Sequence, residues 1–149
     1  MLRVSKLTDY GSVILAYMAR HPGQTLSATS LSQAVYMPLA TVSKLLKLFK
    51  KNGLVQSSRG KRGGYRLSRP AEKISLAEII SVLEGPIALT ECSVKKDLCQ
   101  IESHCAIRPS WQNINRVIYN SLSQVTLETM LATNLENTTE PQPITLIGQ

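Results

Sequence analysis

The sequence lacks any uninterrupted apolar run near the ~18 residues that a membrane-spanning helix needs, and its first residues lack the apolar stretch of a signal peptide. We therefore expect a cytoplasmic protein with no membrane segment. Histidine is scarce as well. Two histidines and ten acidic residues, spread along the chain, do not combine into a Ser-His-Asp triad or a pair of carboxylates. An enzyme is accordingly the least favoured class of protein.

Acidic residues are almost absent from the first half of the chain. Residues 1–70 hold 12 lysines and arginines and a single acid, Asp9, whereas residues 71–149 hold five basic and nine acidic residues. A chain of 149 residues forms one compact domain, or one domain with a small appendage. The basic half predicts a polyanionic partner, and the alternative is a solvated basic face without a partner.

The basic half begins with three helical patterns. Apolar residues recur at helical spacing over residues 10–18, and Thr8 is the predicted N-cap of this helix. Ser27 is the predicted cap of a second, short helix, which ends where Pro38 interrupts it. A third helix covers residues 39–52 and turns its hydroxyls and lysines outward, which is the layout of a helix-turn-helix. Its inward face consists of Val42, Leu45, Leu46 and Phe49.

A β-hairpin pattern follows the third helix. Two strand-like runs, residues 54–58 and 65–68, flank a basic, glycine-rich tip. The sequence therefore predicts a mainly α fold with a small β-hairpin wing, a winged helix-turn-helix. In such a fold the third helix enters the major groove of double-stranded DNA, basic side chains contact phosphates, and the tip glycines let the backbone approach the duplex. The predicted DNA-binding residues are Thr41, Ser43, Lys44, Lys47, Arg59, Lys61, Arg62 and Tyr65.

The second half contains a capping box and a longer helix. Ser75 and Glu78 have the spacing of a capping box, at the start of a helix that runs to Glu84. The longer helix begins near Pro109, and its apolar stripe extends over about four turns. The stripe consists of Trp111, Ile114, Val117, Ile118, Leu122 and Val125.

This stripe is longer than so small a domain needs for its own core, and it predicts a homodimer. A two-fold dimer would read a near-palindromic operator with half-sites about 34–36 Å apart. The predicted organisation is a DNA-binding domain at residues 1–70, a cysteine loop with dimerisation helices at residues 71–135, and a flexible polar tail at residues 136–149.

Three cysteines lie close together in the only long irregular segment. Cys92, Cys99 and Cys105 are spaced C-x6-C-x5-C, and an odd number argues against a structural set of disulfides. Thiolates select zinc or an iron-sulfur cluster, although this spacing fits structural zinc sites poorly. Buried, inert thiols are the alternative. Of the candidates for a fourth ligand, His104 is sterically awkward beside Cys105, and Asp9 is also explained as an acid favoured by the helix dipole.

Several of these segments together resemble the IscR/NsrR-type family of bacterial transcription regulators. The resemblance covers about residues 1–135 and rests on LTDY (7–10), VSKLL (42–46), NGLV (52–55), RGKRGGYRL (59–67), residues 74–84, and the cysteine loop followed by Trp111. Within the family, LEGPIALTEC (83–92) looks most like the regulators of the SUF system for iron-sulfur cluster assembly in gammaproteobacteria.

The resemblance implies a homodimeric regulator whose cluster is held by Cys92, Cys99 and Cys105. Assembly-type relatives place a histidine ligand three residues after the last cysteine, where this chain has Arg108. Relatives that sense nitric oxide use an aspartate of the first helix, supplied by the partner subunit, and Asp9 stands at the matching position.

We therefore expect a repressor of SUF genes that senses an iron-sulfur cluster, with [2Fe–2S] favoured over [4Fe–4S]. Two other functions remain open from the sequence: a nitric-oxide or redox sensor of the same fold, and an iron-sulfur carrier or scaffold whose basic half docks an acidic protein.

Overall fold

A computed structural model describes residues 4–60, 62–95 and 98–136 of the chain. The described part is mainly helical with one two-stranded antiparallel hairpin, which confirms the predicted fold class. Two 3-10 turns, Ala71–Lys73 and Glu102–His104, lie between the regular elements. In chain order these elements are α1 (Lys6–Ala19), α2 (Ala28–Ala34), α3 (Leu39–Lys51), β1 (Val55–Ser58), β2 (Gly64–Leu67), α4 (Leu76–Glu84), α5 (Glu91–Val94), α6 (Arg108–Gln124) and α7 (Leu127–Glu136).

One hydrophobic core holds these helices together. It draws on both sides of residue 70, because Ile79 of α4 and Leu127 of α7 are fully buried in the same cluster as the first three helices. Burying each such side chain stabilises the fold by about 1.5–3 kcal/mol. The four apolar residues predicted for the inward face of α3 all have no exposed surface. The boundary at residue 70 therefore separates two predicted functions, whereas the hydrophobic core is continuous across it.

Serine side chains cap the starts of α1, α2 and α4. Ser27 and Ser75 accept hydrogen bonds from the backbone of residues 30 and 78, as predicted. The predicted cap Thr8 is wrong, because the helix begins one turn earlier with Ser5 as its N-cap. Thr8 is instead buried inside the helix. The capping box at Ser75 forms only in part, since the carboxylate of Glu78 pairs with Arg69.

The hairpin is extended on one side by a third chain segment. Val55 pairs with Leu67 and Ser58 with Gly64, and Leu26 forms an isolated bridge to Tyr65, with two backbone hydrogen bonds of 2.8 and 2.9 Å. The wing is therefore attached to the segment just before α2, which fixes its orientation relative to the helix-turn-helix.

The last two helices return the chain to this unit. Leu76 N donates to Val125 O, and Leu127 N donates to Ile74 O, both at 2.8 Å. Thr126 Oγ1 accepts from Thr129 N at 3.1 Å and thereby caps the last helix. Residues 137–149, which make up the predicted tail beyond Glu136, lie outside the described residues. In the described part of the chain, every helix is too short or too polar to cross a bilayer.

Candidate functional site

The outward face of α3 carries the predicted recognition residues. Lys44 and Lys47 are exposed, while Thr41 and Ser43 are half-buried at the start of the helix. The opposite face is completely buried, so the helix cannot rotate to present another set of side chains. The first turn of α3 contains no acidic residue. The folded chain thus presents one basic face, with hydroxyl groups at its N-terminal end.

The hairpin tip carries further exposed basic residues. Arg59 and Arg62 are exposed, and Lys61 lies outside the described residues. Tyr65 is half-buried, packs against the core and makes the backbone bridge to Leu26. The phenol of Tyr65 therefore has a structural role that its neighbours on the tip lack. Its predicted contact with DNA stays a prediction.

The glycines of the tip are required by the hairpin itself. Gly60 has a φ of +104°, a conformation that side chains rarely adopt. A Cβ on Gly63 would lie 2.6 Å from Ser58 O, and a Cβ on Gly64 would lie 2.6 Å from Leu26 O. The turn and its close packing thus account for all three glycines. Close approach to DNA is not needed to explain them.

The connection between α2 and α3 exposes an aromatic side chain that the sequence analysis did not select. Tyr36 is 95 % exposed and is the one described non-glycine residue with a positive φ, of 53°. The sequence could have drawn attention to Tyr36, because it stands where the short second helix ends, a position at which glycine is usual. It adjoins the helix that carries the recognition residues.

The three cysteines lie on short, partly exposed elements. Cys92 is in α5, Cys99 lies in the following turn, and Cys105 comes directly after the second 3-10 turn. All three are free thiols of intermediate exposure. Thr90 Oγ1 lies 3.3 Å from the sulfur of Cys92. Buried, inert thiols are therefore not what the fold contains at these positions.

Two residues of α6 make polar contacts with the segment that contains the cysteines. Arg108, the first residue of α6, pairs with Glu102 at 2.6 Å, and Glu102 is only 7 % exposed. Asn115 donates to Ile87 O and accepts from Leu89 N, each at 3.1 Å. Sequence reasoning missed both contacts, because they join residues that carry no local motif. Arg108, the residue at the position where the family resemblance implied a histidine ligand, is thus occupied by an ion pair.

The donor chemistry of the loop fits a thiolate-bound centre, but the single chain does not assemble it. No three His, Cys, Asp or Glu side chains within residues 4–60, 62–95 and 98–136 approach one another closely enough to hold a metal ion. His104 is exposed, and its Nδ1 lies 2.8 Å from Ser103 Oγ.

Asp9 is exposed in the first turn of α1 and borders an open groove between α1, α4, α6 and α7. Beside it, the carboxylate of Glu84 accepts hydrogen bonds from Thr8 Oγ1 at 2.5 Å and from Ser5 N at 2.8 Å. These bonds, that of Thr8 first, hold the pKa of Glu84 below its usual value. These hydrogen bonds attach the N-terminus of α1 to Glu84, the last residue of α4. The segment that leads to the cysteines begins directly after Glu84.

Half of the predicted apolar stripe along α6 is exposed in the single chain, whereas Ile118, Leu122 and Val125 are half-buried. Trp111, Ile114 and Val117 are 37, 43 and 57 % exposed, and no residue of this 17-residue helix is buried. A helix with so much apolar surface in contact with water is typical of an interface with another protein. The prediction that the stripe exceeds the needs of the chain's own core agrees with this exposure.

The helix-turn-helix, its wing and the basic surface that they share define a winged-helix transcription regulator. The chain belongs to the Rrf2 family, described as iron-dependent transcriptional regulators, which it matches over residues 4–133. The family resemblance inferred from the sequence is thereby confirmed.

Individual relatives agree with this assignment. A Neisseria meningitidis protein named as an HTH-type transcriptional regulator is 34 % identical over 117 residues, which cover 78 % of this chain and 77 % of that protein. CymR of B. subtilis, described as its global cysteine regulator, is 30 % identical with a TM-score of 0.69, covering 89 % of this chain and 98 % of CymR. IscR of T. potens is 30 % identical with a TM-score of 0.66, covering 95 % and 94 %. The family and the Neisseria relative are named as transcriptional regulators and not as enzymes.

Proposed function

We propose that the chain is a homodimeric, DNA-binding repressor of SUF genes that responds to an iron-sulfur cluster. The observation that carries the proposal is that one chain combines an outward basic surface, a loop of three part-exposed thiols and a helix, α6, with no buried residue. The family description as iron-dependent and the likeness to a structure named IscR support it. A repressor of chromosomal genes acts in the cytoplasm.

The basic surface would bind the operator as a winged helix does. Insertion of α3 into the major groove brings Lys44 and Lys47 to the phosphates at its edges and Thr41 and Ser43 to base edges. The tip residues Arg59, Lys61 and Arg62, together with Tyr65, would contact the DNA backbone beyond the groove. Phosphate contacts supply affinity that falls as salt is added.

The exposed part of the α6 stripe would form the dimer. In a two-fold pair, each α6 covers the apolar surface of the other, which removes Trp111, Ile114 and Val117 from water. The symmetry places two copies of α3 on one face of the DNA and explains why we expect a near-palindromic operator.

The loop fits a thiolate-bound cluster in chemistry, and Cys92, Cys99 and Cys105 would hold it, with Asp9 contributed across the dimer as the fourth ligand. A bound cluster, [2Fe–2S] or alternatively [4Fe–4S], supplies redox chemistry that the side chains lack. The ion pair of Arg108 with Glu102 fixes the last part of the loop to α6.

The contacts of Glu84 supply a route from the loop to the DNA-binding unit. Glu84 joins the end of α4 to the start of α1, and α1 packs on the same core as α3. A change in the segment between Glu84 and Cys92 therefore acts on α1 directly. Such coupling shifts the population between geometries of the dimer that bind the operator and geometries that do not.

The experiment that tests the proposal begins with anaerobic purification of the full chain. We expect visible absorption, together with iron and sulfide in proportion to the chain, and a change in operator affinity when the cluster is removed. Replacing all three cysteines by serine removes the colour, while His104→Ala, in the same loop, retains it and serves as the matched control. A colourless, iron-free preparation contradicts the proposal, as does operator affinity that stays the same after cluster removal.

A second candidate is a sensor of redox state or nitric oxide that uses the same thiols. It is favoured by the finding that the three free thiols do not form a ligand set for a single metal ion among the described residues, and by the structural likeness to a protein described as the global cysteine regulator of B. subtilis. An apoprotein that releases operator DNA on mild oxidation, with recovery by a thiol reductant, would identify this function. Cluster transfer to an acceptor protein without salt-dependent DNA binding would identify a carrier instead.

A further inference from the structure

The turn between α2 and α3 has an unusual residue at its most restricted position. Val35 is the C-cap of α2, and Tyr36 follows with a φ of 53°, in the left-handed region. Met37 N donates to Ser32 O at 3.1 Å, which closes the turn in the pattern of a Schellman motif. Glycine is the usual residue there, because a Cβ approaches the following carbonyl oxygen too closely. Tyr36 is held in a conformation that its own side chain disfavours.

The neighbours of Tyr36 explain the turn but not the tyrosine. Val35 and Met37 pack against the core, and Ser32 Oγ donates to Met37 O at 2.6 Å, so the backbone is fixed on both sides. The side chain of Tyr36, at 95 % exposure, adds almost no packing to the fold. Stability of the folded chain would favour glycine here. Strained residues that the fold does not need are found mostly at sites of function.

The location of Tyr36 indicates what the ring contacts. It lies three residues before Leu39, where α3 begins, and α3 carries Thr41 and Lys44 on its outward face. When the second helix of a helix-turn-helix enters the major groove, its N-terminal residues reach the bases, and the preceding turn passes beside the phosphates at the edge of that groove. Tyrosine hydroxyls are among the groups that donate hydrogen bonds to phosphate oxygens.

We propose, resting on the proposed function, that Tyr36 is a DNA-backbone contact that sets the depth and register of α3 in the groove. Its hydroxyl donates to a phosphate oxygen. The closed turn fixes the backbone of Tyr36 relative to α3, so only the rotation of its side chain is lost on binding. The competing occupant is a protein partner in the groove that Tyr36 shares with Val13 and Arg20.

The test compares Tyr36→Phe and Tyr36→Gly with the wild-type chain on a duplex carrying the SUF promoter. Tyr36→Phe removes only the hydroxyl, and we expect operator affinity to fall about three- to tenfold per half-site. Tyr36→Gly should weaken binding at least as much. Its Tm should stay constant or rise by up to about 3 °C, because relief of the left-handed strain offsets the added freedom of glycine in the unfolded chain.

Salt dependence separates this contact from a charged one. Tyrosine releases no counterion, so the slope of log affinity against log salt should be the same in both variants as in the wild type, whereas Lys44→Ala should make it shallower. Wild-type affinity in Tyr36→Gly overturns the inference. A fall of Tm, or a change from dimer to monomer, in that variant also overturns it, because the ring would then pack against protein.

The same measurements keep this inference apart from the function on which it rests. If the wild-type chain does not bind the promoter duplex, the proposed function fails. If the wild-type chain and Lys44→Ala behave as expected while both Tyr36 variants bind as the wild type does, only the role of Tyr36 fails.

Discussion

The DNA-binding unit, within residues 1–70, and the cysteine loop, within residues 91–107, differ in how much of their apolar surface the single chain buries. In the unit, Leu45, Phe49 and Leu54 have no exposed surface, and the wing is hydrogen-bonded to the segment before α2. In the loop, the apolar residues Val94, Leu98, Ile101 and Ile107 are all exposed. The unit is therefore complete in one chain, whereas the loop leaves apolar surface and thiols available. We infer that the loop gains its final packing from a ligand or from a second chain.

The largest effect that sharpens this comparison is on stability. Phe49→Ala should lower the free energy of unfolding by about 3–5 kcal/mol, because it opens a cavity among fully buried side chains. Ile101→Ala, in the loop, should change it by less than about 0.5 kcal/mol. Chemical denaturation of the apoprotein measures both. Equal destabilisation by the two variants would show that the loop is as tightly packed as the unit.

The ion pair between Arg108 and Glu102 should matter next. Arg108→Ala leaves the buried carboxylate without its guanidinium, which should cost about 1–3 kcal/mol. We expect the destabilisation to be local, so amide hydrogen exchange should speed up between residues 91 and 107 and stay unchanged in α3. The double variant with Glu102→Gln should recover part of the stability. Faster exchange in α3 would mean that the two regions unfold together.

The basic face of α3 should affect DNA binding without affecting stability. Lys44→Ala with Lys47→Ala removes two exposed cations per chain, so the salt dependence of operator binding should become shallower by about 0.9 for each phosphate that is no longer neutralised. The exposed Lys73 lies outside the α3 and wing surface, and Lys73→Ala is the matched control. An unchanged slope for the double variant would remove α3 from the interface. The free energy of unfolding should change by no more than about 0.5 kcal/mol.

The smallest effect concerns pH and the junction between the two regions. The pKa of Glu84 is lowered in the folded chain by the bonds from Thr8 and Ser5, so the ionised carboxylate stabilises the fold. This stabilisation is present above its usual pKa of 4.5 and is lost as the pH falls through the lower, folded-state pKa. Glu84→Gln should therefore lose less stability than the wild type between neutral pH and about pH 3. Identical pH profiles would show that the bonds do not depend on charge.

Local patterns were sufficient to predict much of the DNA-binding unit. The apolar spacing of α3, the serine caps at Ser27 and Ser75, and the paired strands around a glycine-rich tip each follow from residues close together in sequence. The first cap was wrong because Ser5 and Thr8 are both suitable residues three positions apart, and only the distant Glu84 explains why Thr8 is buried.

The surroundings of the cysteines could not be predicted in the same way, because they depend on contacts that no local sequence pattern encodes. The Glu102–Arg108 pair, the two bonds of Asn115 and the bridge of Leu26 to Tyr65 join segments whose proximity is decided by the whole fold. The cysteines were readily found from their clustering, but their part-exposed, separate positions were not predictable from spacing. Tyr36 was overlooked because an exposed side chain that packs on nothing contributes nothing to a packing pattern.

The burial of Leu127 among the side chains of the DNA-binding unit has a consequence for synthesis of the protein. A ribosome must add this residue, and so the whole cysteine segment, before the unit can close its interior. A chain truncated between residues 70 and 127 lacks Leu127. The cavity left at this position lowers the free energy of unfolding by about 2–5 kcal/mol. We therefore expect such fragments to fold poorly and to bind DNA weakly, so that DNA binding requires a chain that extends at least to Leu127.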